Sequence, residues 1–269
     1  MNTLKYISSP QNTLIRKIVL LQEKSRERRK QALFVVEGKR ELALAIQANY
    51  ELDSILYYPG IMSKNDLLDL IKEIKNQPEV IEVSQDVYQK LAYRDSTEGV
   101  IALLKTKKHA LENLRLKNKN ALILVAESPE KPGNIGALLR TADAANLDAV
   151  LIANPKGDLY NPNIIRSSVG CIFTNAIGVG TTAEILDFLK ANQIQVFCAA
   201  LSASQAYTQT DFTKASAIVV GTESTGLSQS WLEASTQNII IPMEGEIDSM
   251  NVSVSAAILI FEAKRQRSK

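Results

Sequence analysis

The stretch ALILVAESPEKPGNIGALLRTADAANLDAVLIAN, residues 121–154, decides the fold class. Two short runs rich in Leu, Ile and Val, ALILVAES and DAVLIAN, flank a helical segment, NIGALLRTADAAN. A strand that is apolar at nearly every position is buried on both faces, and strand–helix–strand is the pattern of a parallel crossover. The alternation continues downstream. TNAIGVG, QVFCAAL, SAIVVGTES and NIIIPM are further strand-like runs, and PNIIRSSVG, TAEILDFLKAN, SQSWLEAS and NVSVSAAILIFEAKRQR are helical. The expectation is an α/β fold with a largely parallel sheet and helices on both faces. Ligands of such sheets bind in the loops beyond the carboxyl ends of the strands.

Upstream the periodicity is different but still alternating. PQNTLIRKIVLLQEKSRERRKQ carries Leu14, Ile18 and Leu21 at amphipathic-helix spacing, followed by strand-like ALFVVEG, ELDSILYY, VIEVS and GVIALLK with helical segments between. This predicts a small α/β domain over residues 1–106. The polar, basic segment KTKKHALENLRLKNKN (105–120) supplies a linker over 107–120, and the parallel-sheet domain occupies 121–269.

Composition narrows the chemistry. The chain has 269 residues, 45% of them apolar, enough for two cored domains. No apolar run approaches the ~20 residues of a membrane span, and MNTLKYISSPQNTL lacks the apolar core of a secretory leader. Cys171 and Cys198, the only cysteines, each sit in apolar sequence, which fits a reducing, cytoplasmic setting without a disulfide framework. His109 is the single histidine, so Ser-His-Asp, Cys-His and zinc chemistries have little to work with, and no metal is expected. A net charge of +2 does not by itself indicate nucleic acid.

Three loops hold the unusual residues. In AESPEKPGNIGALLRTADAA, Asn134 stands where a helix N-cap belongs, and Arg140 either pairs with Asp143 at i+3 or faces a ligand. In VVGTESTGLS, Gly221 and Gly226 flank Glu223. The spacing resembles a P-loop, but Leu227-Ser228 follows where Lys then Ser or Thr is required, and no G-x-G-x-x-G fingerprint is present. The glycines leave room for a ligand against the backbone. In IPMEGEIDSMNVSVSAAILIFEAKRQ, Ser249 or Asn251 caps a helix that is apolar nearly all round, and such a helix is buried on more than one side.

Together and in this order, the loops closely resemble the three motifs of the SpoU (TrmH-like) RNA methyltransferases, a branch of the SPOUT superfamily. The first is matched from Asn134 to Ala144, the second from Gly221 to Leu227, and the third by Ile241 to Met243, Gly245 and Ser249 to Val254. Met250 and Ser224 depart from the family's usual leucine and glycine. The segment FVVEGKRELALAI (34–46) resembles the RNA-binding domain that precedes the catalytic domain in many members.

The resemblance implies a C-terminal domain with a trefoil knot, S-adenosylmethionine as cofactor, and a homodimer joined through that domain. It implies methylation of a ribose 2′-hydroxyl, with ribosomal RNA favoured over tRNA. Carried over by position, Asn134, Arg140, Glu223, Ser249 and Asn251 form the catalytic set, while Leu201, Gly221, Ile241 and Met250 contact the cofactor. The family implicates Arg140 in deprotonation, but a guanidinium holds its proton, so the alternative role is to orient phosphate and stabilise charge. For RNA contacts, Lys24, Arg26, Arg28, Arg29 and Lys30 make a basic strip, joined by Lys39, Arg40 and Arg166; a solvated helix face is the competing reading of the strip. Two rivals remain open. A catalytically inactive RNA-binding protein of the same fold would bind RNA without methyl transfer, and an α/β oxidoreductase would bind nicotinamide cofactor instead.

Overall fold

Asn12 starts the first helix by accepting the Leu14 N–H on its side-chain oxygen at 2.9 Å. Ile15, Ile18 and Leu21 then fall on one buried face; of the stripe Leu14, Ile18 and Leu21 read from the sequence, Leu14 is only half-buried and Ile15 takes its place in the core. In the structure, a computed structural model describing residues 5–74, 77–93, 98–202, 204–222 and 225–268, the chain forms two compact units. The first comprises 1–107 with 158–173, and the second 108–157 with 174–269.

The first unit runs β1 (Lys5–Ile7), α1 (Thr13–Glu23), α2 (Ser25–Gln31), β2 (Leu33–Glu37), α3 (Lys39–Gln47), β3 (Leu52–Tyr57), α4 (Lys64–Ile71), β4 (Glu79–Val83), α5 (Gln85–Leu91) and β5 (Val100–Lys105). Its sheet has the order β1-β4-β3-β5-β2. β4 pairs in parallel with β1 and β3, and β5 pairs antiparallel with β3 and β2.

The chain continues through β6 (Leu122–Glu127), α6 (Pro132–Ala144) and β7 (Ala149–Ala153) to α7 (Pro162–Ser167) and α8 (Cys171–Thr174). It then forms β8 (Ile177–Gly180), α9 (Thr182–Ala191), β9 (Gln195–Ala199), β10 (Gln205–Ala206), β11 (Ser216–Val220), α10 (Gln229–Ala234), β12 (Gln237–Ile240) and α11 (Val252–Arg267). The second unit's sheet is β10-β12-β9-β11-β6-β7-β8, and every pairing in it is parallel. Its core repeats at every second position. Ile123 and Val125, Val196 and Cys198, and Ala217 and Val219 pack with Ile185 and Leu189 of α9 and Trp231 of α10. α11 packs against α6 and β11.

The sequence places 107–120 as a linker and 158–173 inside the parallel-sheet domain; the contacts divide the chain differently. Within 107–120, Ala110 bridges to Val179 and a 3-10 turn spans Leu111–Asn113, so most of this segment is built into the second unit. Residues 158–173 belong to the first unit because their aromatic rings are buried there. Tyr160 stacks on Phe34 with centroids 4.3 Å apart, and its hydroxyl meets that of Tyr50 at 3.2 Å. An expected crossover helix, PNIIRSSVG, is therefore a piece of the other unit's core.

Arg28 belongs to the same anchor, which corrects its place in the basic strip. The strip lies on α2, a helix separate from α1, and Arg28 is only 2% exposed. Its Nε pairs with Asp158 and its Nη1 donates to the carbonyls of Leu21 and Gln22 at 2.6 and 3.1 Å. A guanidinium this buried, with three of its five N–H groups already on protein acceptors, is not presented to a phosphate in solvent. Lys24, Arg26, Arg29 and Lys30 are exposed. Arg28→Met should lower unfolding stability by about 3 kcal/mol, because it leaves a poorly solvated Asp158 unpaired. Urea denaturation should show Arg28→Met/Asp158→Asn recovering most of that loss.

Candidate active site

The three loops come together at the carboxyl edge of the parallel sheet. α6 begins at Pro132, with Lys131 as its N-cap and no side-chain capping bond. Asn134 is thus the third helical residue and not the cap that the sequence suggests; proline at the first position moves the start three residues upstream. Its amide is freed for another partner. Asn251 Nδ2 donates to Asn134 Oδ1 at 3.1 Å.

Asn251 does two things at once. It is the N-cap of α11, its Oδ1 accepting the Ser253 N–H at 3.0 Å and the Ser253 hydroxyl at 2.6 Å. Its other amide group holds Asn134. One side chain therefore fixes the start of α11 against the first turn of α6. Ser249 takes no part in the cap and stands exposed two residues earlier.

Gly221 supplies the wall between these elements. A Cβ built there would lie 2.3 Å from the carbonyl carbon and oxygen of Gly226 and 2.7 Å from the Leu227 nitrogen. Those atoms are backbone, so only glycine fits. Thr222 and Gly226 exchange backbone hydrogen bonds at 3.2 and 3.1 Å, and Gly226 takes the left-handed conformation at φ 65°. Glu223 and Ser224 lie outside the described residues.

Two cavities meet at Gly221. The larger, about 810 Å³, is lined by segments that follow β9, β11 and β12. Leu201, Gly221, Ile241, Ser249, Met250 and Asn251 all line it, which brings the expected cofactor residues together. Leu201 is 62% exposed, at the rim. Asp248 is the only charged residue among the described lining, and no basic side chain is present. The smaller cavity, about 270 Å³, is lined by Asn134, Lys131, Glu127 and Glu130, and it shares Val220, Gly221, Thr222 and Val252 with the larger one.

Arg140 is not drawn in. It lines neither cavity, is exposed, and has no ion pair or hydrogen bond among the described residues. The i+3 pairing with Asp143 does not form; Asp143 accepts the Thr174 hydroxyl instead. Lys39, Arg40 and Arg166 belong to the first unit, where Arg40 and Arg166 line a separate cavity.

Glu127 is the residue that sequence reasoning missed. Ending an otherwise apolar strand, it is 6% exposed and accepts the Ser228 N–H at 2.8 Å, the Ser228 hydroxyl at 2.7 Å and the Thr182 hydroxyl at 3.1 Å. It ties the β6, β8 and β11 loops beneath the smaller cavity. The legible signal was a carboxylate closing the run ALILVAE, since buried carboxylates require such partners. Nearby, burial pushes the Cys198 thiol up to about 11, so it stays neutral and offers no nucleophile.

A parallel sheet whose carboxyl edge carries this glycine-walled cavity and paired asparagines defines the class. The chain belongs to the SpoU rRNA Methylase family, matching it over residues 121–261, and residues 12–102 match the MRM3-like substrate binding domain. It is similar to a solved RNA 2′-O ribose methyltransferase at 39% identity, covering 98% of this chain and 100% of that one with TM-score 0.83. A SpoU methyltransferase of Streptomyces viridochromogenes, solved with the cofactor AdoMet, is 25% identical over 96% of this chain and 99% of that one, TM-score 0.87. The 23S rRNA (guanosine(2553)-2′-O)-methyltransferase of Bacillus subtilis is 26% identical, covering 97% of this chain and all of that protein.

Gly221→Ala should force the Gly226–Leu227 backbone outward and destabilise the protein by about 1–3 kcal/mol, the range for overpacking. Chemical denaturation reads that loss, and calorimetric titration with the cofactor of the AdoMet-bound relative should show binding abolished.

Proposed function

We propose that this protein transfers a methyl group from S-adenosylmethionine to a ribose 2′-hydroxyl in ribosomal RNA. The observation that carries the reading is the Asn134–Asn251 bond across the two cavities, in a chain of the SpoU family. Relatives named as 23S rRNA methyltransferases favour ribosomal RNA as substrate.

The larger cavity suits this cofactor. Its volume lies within the ~300–1,000 Å³ of small-molecule sites. Apolar walls and exposed backbone fit an adenosyl group, and Asp248 without a basic neighbour fits a sulfonium better than a phosphate chain. When bound, S-adenosylmethionine supplies an electrophilic methyl group on sulfur. Leu201, Gly221, Ile241 and Met250 would hold it, Gly221 by letting the Gly226 backbone close the wall of the cavity.

The remaining residues align the hydroxyl with that methyl, the chief requirement of an in-line displacement. Asn134 and Asn251 fix the boundary where the two must meet. Ser249 at the rim and Glu223 in the glycine loop complete the hydrogen-bonding set. A guanidinium is a poor proton acceptor, so the task of Arg140 is to orient the RNA phosphate and stabilise charge developing around the ribose.

In one chain Arg140 is exposed and outside both cavities, which supports a site completed by a second copy. Val254, Ala257, Ile258 and Phe261 recur at i, i+3, i+4, i+7 along α11, with Val254 48% and Phe261 50% exposed. That stripe fits a homodimer interface beside α6. The knotted path of the C-terminal unit and a cytoplasmic location complete the reading. No helix among the described residues is long and apolar enough to cross a membrane.

With rRNA from cells lacking the gene and radiolabelled cofactor, Arg140→Ala and Asn134→Ala should each lose methyl transfer by at least ~100-fold while cofactor binding persists. Asn134→Ala should melt close to wild type, without the ~1 kcal/mol loss of a capping residue. Full turnover by Arg140→Ala would sink the assignment. Phe261→Glu should yield monomers by analytical ultracentrifugation and little activity. Co-expressed Arg140→Ala and Asn251→Ala chains should regain part of the activity that each lacks alone, because one mixed site keeps both residues.

A further inference from the structure

A cavity of about 270 Å³ lies wholly within the first unit, bordered by Gln22, Glu37, Arg40, Tyr93, Glu98 and Arg166 among others. Three features make it a built site. The Arg166 guanidinium sits 3.5 Å from the Tyr93 ring centroid, and Tyr93 as a residue is 66% exposed. Arg166 is held from below by the Asn163 side chain. Tyr93 is held by its own N–H, which donates to both carboxylate oxygens of Glu37 at 2.9 and 3.1 Å.

The charges around the cavity decide the ligand class. Among the described lining residues three carboxylates, Glu37, Glu41 and Glu98, stand beside two guanidinium groups, Arg40 and Arg166, a balance that does not favour a phosphate. Glu98 uses Oε2 to accept the Lys39 and Arg40 N–H groups at the start of α3, while its Oε1 accepts nothing among the described residues. An aromatic ring with a guanidinium plane is a stacking platform for an unpaired base. An open carboxylate oxygen accepts from an exocyclic amino group, as carboxylates do from cytosine N4.

The geometry points to a receptor for one unpaired, amino-bearing nucleobase of the RNA, stacked on the Arg166–Tyr93 pair with its amino edge toward Glu98. The receptor rests on the RNA methyltransferase reading for the identity of the polymer. It makes the first unit a reader of a single-stranded feature, where the exposed Lys24, Arg26, Arg29 and Lys30 supply only charge.

Fluorescence anisotropy of the full-length protein with short labelled oligo(rA), oligo(rC) and oligo(rU) tests it. Wild type should bind oligo(rA) and oligo(rC) more tightly than oligo(rU). Glu98→Gln, which presents an amide donor to the base, should erase that preference. Tyr93→Ala and Arg166→Ala should weaken oligo(rA) binding about tenfold, with unchanged thermal melting, and Tyr93→Phe should match wild type. Arg166→Lys separates stacking from charge: it should be as weak as Arg166→Ala. Binding restored by Arg166→Lys, or a base preference unmoved by Glu98→Gln, overturns the base receptor in favour of a phosphate contact. Calorimetry with S-adenosylmethionine runs in parallel. Absent cofactor binding in wild type defeats the enzyme reading, whereas intact cofactor binding with unaltered oligonucleotide profiles defeats this receptor alone.

Discussion

Everything in the second unit depends on the parallel pairing of its seven strands. Parallel strands put all their carboxyl ends on one edge, and burial of both faces makes each strand nearly uniform in apolar character. The segments after β9, β11 and β12 then emerge side by side, and the strand order reverses between β11 and β6, a place where a crevice opens. Gly221 tightens that crevice to the limit of atomic contact, because the backbone of Gly226 occupies the space of its absent Cβ.

Two kinds of polar anchor keep the loops in place. Glu127 gathers Ser228 and Thr182 from two other loops, and a buried carboxylate with three donors is costly to disturb. Asn251 links the last helix to the first turn of α6. The two anchors act on different sides of the same strands. The smaller cavity includes both Glu127 and Asn134 in its lining, so the support and the proposed reactive surface are continuous.

The first unit uses ionic and aromatic anchoring in a different way. Its sheet is mixed, and its core is completed by a segment that is distant in sequence, residues 158–173. The Arg28–Asp158 pair and the Phe34–Tyr160 stack hold that segment. This same segment brings Arg166 to Tyr93, so the packing that completes the core also builds the Arg166–Tyr93 pair of the proposed base receptor.

The alternation of strands and helices, the parallel class of the main sheet, and the motifs around Asn134, Gly221 and Asn251 are all legible in the amino-acid order. Those are local properties: hydrophobic periodicity, the absence of a Cβ, and the side chain of a helix start. Tertiary structure alone decided which unit owns residues 158–173, that Arg28 is a buried structural cation, and that Asn134 bonds Asn251 where the sequence offered a cap. It also left Arg140 apart from Asp143 and gave Glu127 its partners. Each of these depends on which groups meet across more than twenty residues of chain, as in the 130-residue separation of Arg28 and Asp158. Such meetings follow from how the sheets order their strands, which local periodicity does not encode.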